Sequence, residues 1–127
     1  MHFTVERKRL VKMLEAARRK WPGQKKKDKQ VFLYACAARV FIEANMVTAG
    51  EEALVFRDGG CWQPLESFLE LIKSYRDKEH IIIEADEKSL RIGNSSRTAF
   101  NYTTDVKPPA DFVVGRVTDT WVTGVNP

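Results

Sequence analysis

Two amphipathic helical stripes, each led in by a short strand and followed by three more strands, constrain this chain's fold more than any other feature. The first half opens on His2-Phe3-Thr4-Val5-Glu6, whose alternation predicts a strand. Leu10, Leu14, Ala17 and Trp21 then recur at helical period with Val11 and Met13 flanking, one apolar stripe of an amphipathic helix. Pro22-Gly23 ends it, because Pro disfavours a helical residue before it and Gly suits the exit. Gln30–Ala37 is apolar enough for a central strand, Ala38–Ala44 reads as its hairpin partner, and Glu51–Arg57 as a third strand. Asp58-Gly59-Gly60 reads as a hairpin turn, since Asp-Gly supplies the positive φ that tight turns need.

The second half repeats this order. Cys61-Trp62-Gln63 is a brief strand, and Pro64 stands where a helix tolerates it, at the first turn. Leu65, Phe68, Leu69, Leu71, Ile72 and Tyr75 form the apolar face of a second helix, with Lys73, Arg76 and Lys78 at its end. Glu79–Glu84, Leu90–Gly93 and Thr98–Thr103 follow as strands, with turns at Asp86-Glu87 and Asn94-Ser95. Val106-Lys107-Pro108-Pro109 breaks the pattern, and Phe112–Val125 reads as one or two further strands. Strand–helix–three strands, twice over, predicts an α+β domain with both helices on one face of antiparallel sheets.

Charge is confined as sharply as pattern. Positions 7–29 hold eleven Lys or Arg against two acids, a balance of +9 in a chain whose total is +4, so the rest sums to −5. Such asymmetry points to a polyanion-facing surface before it points to catalysis. Lys8, Lys12, Arg18 and Arg19 fall mostly off the apolar stripe, and Lys25, Lys26, Lys27 and Lys29 follow in a charged loop. A solvated face with a solubilising loop accounts for the same residues, as does an acidic protein or an anionic membrane. The sharper expectation is a phosphate-contacting surface that Lys73 and Arg76 of the second helix would share.

At 127 residues and 43% apolar, the chain makes one domain able to bury about two-thirds of its unfolded surface. It has no apolar run long enough to span a membrane, and its start lacks the core of a signal peptide, so a cytoplasmic protein is expected. Cys36 and Cys61 lack metal-site spacing and read as reduced thiols.

Four segments together resemble the β sliding clamp of bacterial DNA polymerase III. They are Met1-His2-Phe3-Thr4-Val5-Glu6-Arg7 with Leu10 and Leu14, then Trp62-Gln63-Pro64-Leu65-Glu66-Ser67-Phe68, then Leu90–Phe100 (LRIGNSSRTAF), and Pro109-Ala110-Asp111-Phe112. The likeness covers residues 1–112, a clamp-like domain, and leaves 113–127 as a C-terminal extension that adds an edge strand or exchanges with a neighbour. The resemblance implies helices whose cations meet duplex DNA phosphates without reading bases. On it, Arg7, Lys8, Lys12, Arg18, Arg19, Lys73 and Arg76 are the expected DNA contacts, with Lys25, Lys26 and Lys27 joining them from the loop. It also implies an accessory role in replication, with replication proteins as partners and neither active site nor cofactor. The family's subunits carry three such domains in tandem and this chain has one, so a ring would need a homo-oligomer. A clamp-fold protein-interaction module, regulator or decoy of replication proteins, is the alternative.

Other constellations fall away. His2 and His80 stand alone without metal spacing. Glu51-Glu52 and Asp86-Glu87 read as solvated pairs, Ser95-Ser96 has no nucleophile context, and Gly59-Gly60 lacks the Lys-Ser/Thr of a phosphate loop. Trp21 and Trp62 are expected in the core, and Trp121 stays open.

Overall fold

The chain runs β1 (His2–Glu6), α1 (Arg7–Arg19), β2 (Gln30–Cys36), β3 (Arg39–Ala44), β4 (Val47–Glu52) and β5 (Leu54–Arg57). It continues as β6 (Gly59–Pro64), α2 (Leu65–Ser74), β7 (His80–Ala85), β8 (Ser89–Ile92), β9 (Ser95–Thr98), β10 (Phe100–Thr103) and β11 (Trp121–Gly124). This computed structural model describes residues 1–19, 29–44, 47–110, 112 and 121–124, the last four by their backbone. Lys25, Lys26, Lys27 and Trp21, all named above, lie outside the described residues.

Two antiparallel sheets form, ordered β5-β1-β7-β8-β9 and β10-β6-β2-β3-β4-β11. The doubling expected from the sequence is present, and the halves are interleaved. The first half's meander β2-β3-β4 lies beside β6, and the second half's meander β7-β8-β9 lies beside β1. Each half then sends a last strand back to its own first one, β5 to β1 and β10 to β6. Two expected strands are therefore each two in the structure. The run at 51–57 divides at Ala53 and the run at 98–103 at Ala99, where the chain leaves one sheet for the other. Alternation continues through both points, so side-chain pattern carries no mark of the change.

Asp58-Gly59-Gly60 is not a hairpin turn, because β5 and β6 belong to different sheets. The glycines answer to space instead. A Cβ on Gly60 would sit 2.6 Å from the Cβ of Tyr34 and 2.9 Å from the carbonyl oxygen of Leu33, and one on Gly59 would sit 2.8 Å from the Met1 nitrogen. The turn expected at Asn94-Ser95 falls one residue earlier, at Gly93-Asn94, with Gly93 at φ +55° and Ser95 already in β9. The β2–β3 hairpin closes through Ala37 and Ala38, at φ 53° and 58°, a conformation that hairpin turns usually give to Asn or Gly.

Both helices pack on one core shared by the two sheets. Leu10, Met13, Leu14 and Ala17 of α1 and Leu65, Phe68, Leu69 and Ile72 of α2 are buried with Phe3, Val5, Leu33, Ile42, Cys61, Ile83 and Leu90. Each large side chain so buried contributes about 1.5–3 kcal/mol. β2 is covered on both faces: Val31, Leu33 and Ala35 enter that core, while Tyr34 and Cys36 join Phe41 beneath Val106 and Phe112. Trp62, expected inside, is instead 38% exposed on the outer face, in tilted contact with Phe32. Its neighbour Cys61 takes the inward position of the alternating strand.

Cys36 and Cys61 are free and buried. Burial pushes the Cys36 thiol up to about 11 and raises that of Cys61, so neither is a nucleophile at neutral pH.

Candidate nucleic-acid interface

The basic segment becomes α1, and its helical period sorts the cations by job. With Leu10, Met13, Leu14 and Ala17 turned to the core, Lys8, Lys12 and Arg19 stand exposed in one line along the opposite face. They carry no ion pair among the described residues. At 1.5 Å of rise per residue the line is about 16 Å long. Glu15 is its one acid.

Three of the other expected contacts, Arg7, Arg18 and Lys73, are drawn into structure. Arg18 meets Glu15 at 3.6 Å and Glu66 at 3.5 Å, and Lys73 meets Glu15 at 3.8 Å. The pairs Arg18–Glu66 and Lys73–Glu15 cross the seam between α1 and α2 and show the helices antiparallel. Arg7 donates from Nε to the Lys78 carbonyl oxygen at 3.1 Å, and from its backbone to the Glu79 carbonyl oxygen at 2.8 Å, tying the start of α1 to the approach to β7. Arg9 is drawn inward to Glu6, Glu51 and Glu52, each at 3.3 Å. Arg76 is exposed, past the end of α2, with Asp77 and Lys78 beside it. Over residues 65–78 the acids Glu66, Glu70 and Asp77 match Lys73, Arg76 and Lys78, so α2 and the turn that follows it add no net positive charge. The positive face belongs to α1.

Helix electrostatics separates the two ends of α1. Arg18 and Arg19 sit in the last turn, where cations suit the helix dipole, so stability alone explains them. The first turn holds no acid, and Arg7, Lys8 and Arg9 crowd cations onto the positive end of the dipole. That placement costs stability and strengthens the local positive field, which makes Lys8 the more telling residue.

A second polar feature lies on the far flank of α2. A cleft of about 470 Å³ is lined by Ser67, Glu70, Leu71, Ser74, Ser95, Ser96 and Arg97. Arg97 donates to the Ser67 hydroxyl at 2.6 Å, and the Tyr75 hydroxyl ties the cleft's other wall by bonds of 2.7 Å to Ile92 O and 2.9 Å to Ser95 Oγ. Alternation in Ser95-Ser96-Arg97-Thr98, with Ser95 and Arg97 facing α2, was the sequence signal for it.

Among the described residues, no group of three His, Cys, Asp or Glu could hold a metal, and no helix is long and apolar enough to cross a membrane. A cavity of about 480 Å³ beside β1 and β5 brings Glu6, Arg9, Glu52 and His80 together around Thr4, Val5, Ala53 and Leu54, with no nucleophile paired to a base. His80 is exposed, and His2 leans on Phe56 at 4.8 Å with Glu84 at 3.7 Å.

Solved structures share this arrangement of strands and helices. The Helicobacter pylori beta clamp in complex with carprofen matches 89% of this chain and 32% of its own length, at a TM-score of 0.66 and 18% identity. Caulobacter crescentus pol III beta matches 91% of this chain and 32% of its own, at 0.58 and 20%. The chain has the fold of a sliding-clamp domain. The DNA polymerase III subunit beta of Borrelia burgdorferi matches 72% of it, at 0.62 and 14% identity. This clamp-like chain spans about a third of the length of the clamps it matches. No protein family's sequence profile matches it, and neither does any curated protein sequence.

Proposed function

We propose that this chain is a non-enzymatic, sliding-clamp-like accessory protein of the cytoplasm that holds duplex DNA by its phosphates through α1. The observation that carries this is the line of Lys8, Lys12 and Arg19, solvent-facing and without ion pairs among the described residues, on a helix of a clamp-like domain. Ammonium and guanidinium groups on such a line meet phosphates without reading base edges, so binding is sequence-blind and salt-labile. Arg76 extends the surface, and Lys25, Lys26 and Lys27 add to it as sequence neighbours of α1. Arg7, Arg18 and Lys73 contribute mainly by shaping the helix seam.

Residues 1–112 are the clamp unit in this proposal, with 113–127 as an extension whose strand β11 pairs with β4. Encircling DNA with one domain per chain needs other copies. The edge strand β5, with Leu54 61% and Phe56 58% exposed, supports self-assembly, since bare apolar edges are natural assembly sites. Replication proteins are the expected partners, by analogy with the Helicobacter pylori beta clamp bound to a DNA ligase peptide, which matches at a TM-score of 0.60 and 18% identity. No cofactor is required.

A second reading, an interaction module without a ring, is favoured by the neutrality of α2. Light scattering at low and moderate salt, with and without duplex, separates the two. The clamp reading expects a mass of several copies on duplex, with log affinity falling about 0.9 for each phosphate contacted per log unit of salt. A monomer or dimer that ignores duplex at about 0.15 M salt overturns it in favour of the module.

A further inference from the structure

The serine-lined cleft between α2 and β9 has no part in the surface just described, which lies across α2 on the α1 side. Positions on α2 make the separation plain. Glu66 and Lys73 face α1 through their ion pairs, whereas Ser67 and Ser74, a turn-related pair, line the cleft. Arg97 is the cleft's one cation and Glu70 its one acid. Arg97 forms no ion pair among the described residues; its recorded polar contact is the Ser67 hydroxyl. A half-buried guanidinium held by a neutral hydroxyl keeps its other N–H donors available, and those form a fork that fits phosphate oxygens. Ser67 is exposed and can turn its own proton outward, and Ser96, whose side chain alternates to the other face of β9, borders the cleft by its backbone.

The walls are held by bonds that owe nothing to the ligand. Tyr75 caps α2 and fixes the β8–β9 hairpin through Ile92 and Ser95, and a Cβ on Gly93 would sit 3.3 Å from the Tyr75 ring, so glycine gives the turn room there. Arg97 is therefore presented from a strand braced against a helix, a rigid support for a recognition group.

We propose that this cleft is a phosphate-binding site, in which Arg97, assisted by the Ser67 hydroxyl, takes a backbone phosphate of the duplex on the flank of α2 away from α1. The assignment rests on the DNA-binding reading for the source of the phosphate, and the chemistry of the cleft is the same for a free phosphate ion. Glu70 opposes the ligand and sets the affinity low, so its removal strengthens binding.

Arg97→Gln and Glu70→Gln, each checked by thermal unfolding to be folded, are titrated with duplex across a range of salt. Arg97→Gln is expected to weaken binding several-fold and to reduce the slope of log affinity against log salt by about 0.9, while Glu70→Gln binds more tightly than the wild type. A general loss of structure gives no such opposite signs. If the wild type binds duplex and both variants match it, the cleft proposal is overturned and the α1 reading stands. If the wild type binds no duplex, inorganic phosphate is titrated while the Ser67 and Ser96 amide resonances are followed. Saturable shifts that Arg97→Gln abolishes would then assign the cleft to a free phosphate, and unmoved resonances overturn it.

Discussion

Single residues in this protein do work that their type alone does not announce. Asp86, in the turn between β7 and β8, is half-exposed, yet its carboxyl is held down at about 2. The backbone N–H of Ser89 donates to it at 3.0 Å, that of Lys88 at 2.9 Å, and Arg91 at 3.3 Å. All three favour the ionised form. The folded value lies below the ordinary 3.8, so Asp86 stabilises the fold above pH 3.8 and loses that contribution as pH falls through 2. Asp86→Asn keeps an acceptor oxygen for the two N–H groups and removes the charge. Its melting temperature is expected to fall below the wild type's at pH 5 and to converge with it towards pH 2. A gap that stays constant over that range would show that ionisation is not what the turn uses. Lys8 carries the opposite lesson: it sits where the helix dipole disfavours it, and the proposed phosphate contact supplies a reason for it that stability does not.

Among the elements, hairpin chemistry shows where local sequence and fold disagree. Ala37 and Ala38 close the β2–β3 hairpin with both residues at positive φ. For a residue with a Cβ this conformation costs roughly 1 kcal/mol or more. The pairing of Cys36 with Arg39 leaves room for two residues only, so tertiary register overrides local preference. Ala38→Gly is expected to raise the unfolding free energy by about 0.5–1 kcal/mol, read as a higher urea midpoint at unchanged slope. A lower midpoint would contradict the strained-turn account. The same tension explains what could be read in the sequence. Both helices, β1, β2 and β3 were legible, because 3.6-residue and two-residue periods are written locally in Leu10–Ala17, Leu65–Ile72 and His2–Glu6. The exchange at Ala53 and Ala99 was not, because sheet membership is decided by a partner strand far along the chain. Gly59-Gly60 misled for a related reason, since what demands glycine there is Tyr34 and Met1, distant in sequence.

At the scale of the molecule, interleaved halves place α1 and α2 side by side, and that contact decides which cations remain for a ligand. The sequence showed the excess charge of residues 7–29 and set Lys8, Lys12, Arg18 and Arg19 mostly off the apolar stripe. It could not show that Glu66 reaches Arg18, that Glu15 takes Lys73, or that Arg9 turns to Glu51, since each pair joins different elements. The candidate interface is thus narrower than charge counting implies, and the proposed Arg97 site stands apart from it on the far flank of α2. The central claim is that α1's solvent line holds duplex phosphates. It is tested most directly by the salt dependence of duplex affinity for the wild type against a Lys8→Gln, Lys12→Gln, Arg19→Gln triple variant. Removing Lys8 from the helix start relieves dipole repulsion, which partly offsets the loss of Arg19 at the other end, so the variant is expected to fold with near wild-type stability. The account predicts a salt slope shallower by about 3 and an affinity reduced at least tenfold, on duplexes of unrelated sequence alike. A folded variant that binds duplex with the wild type's slope and affinity would contradict it.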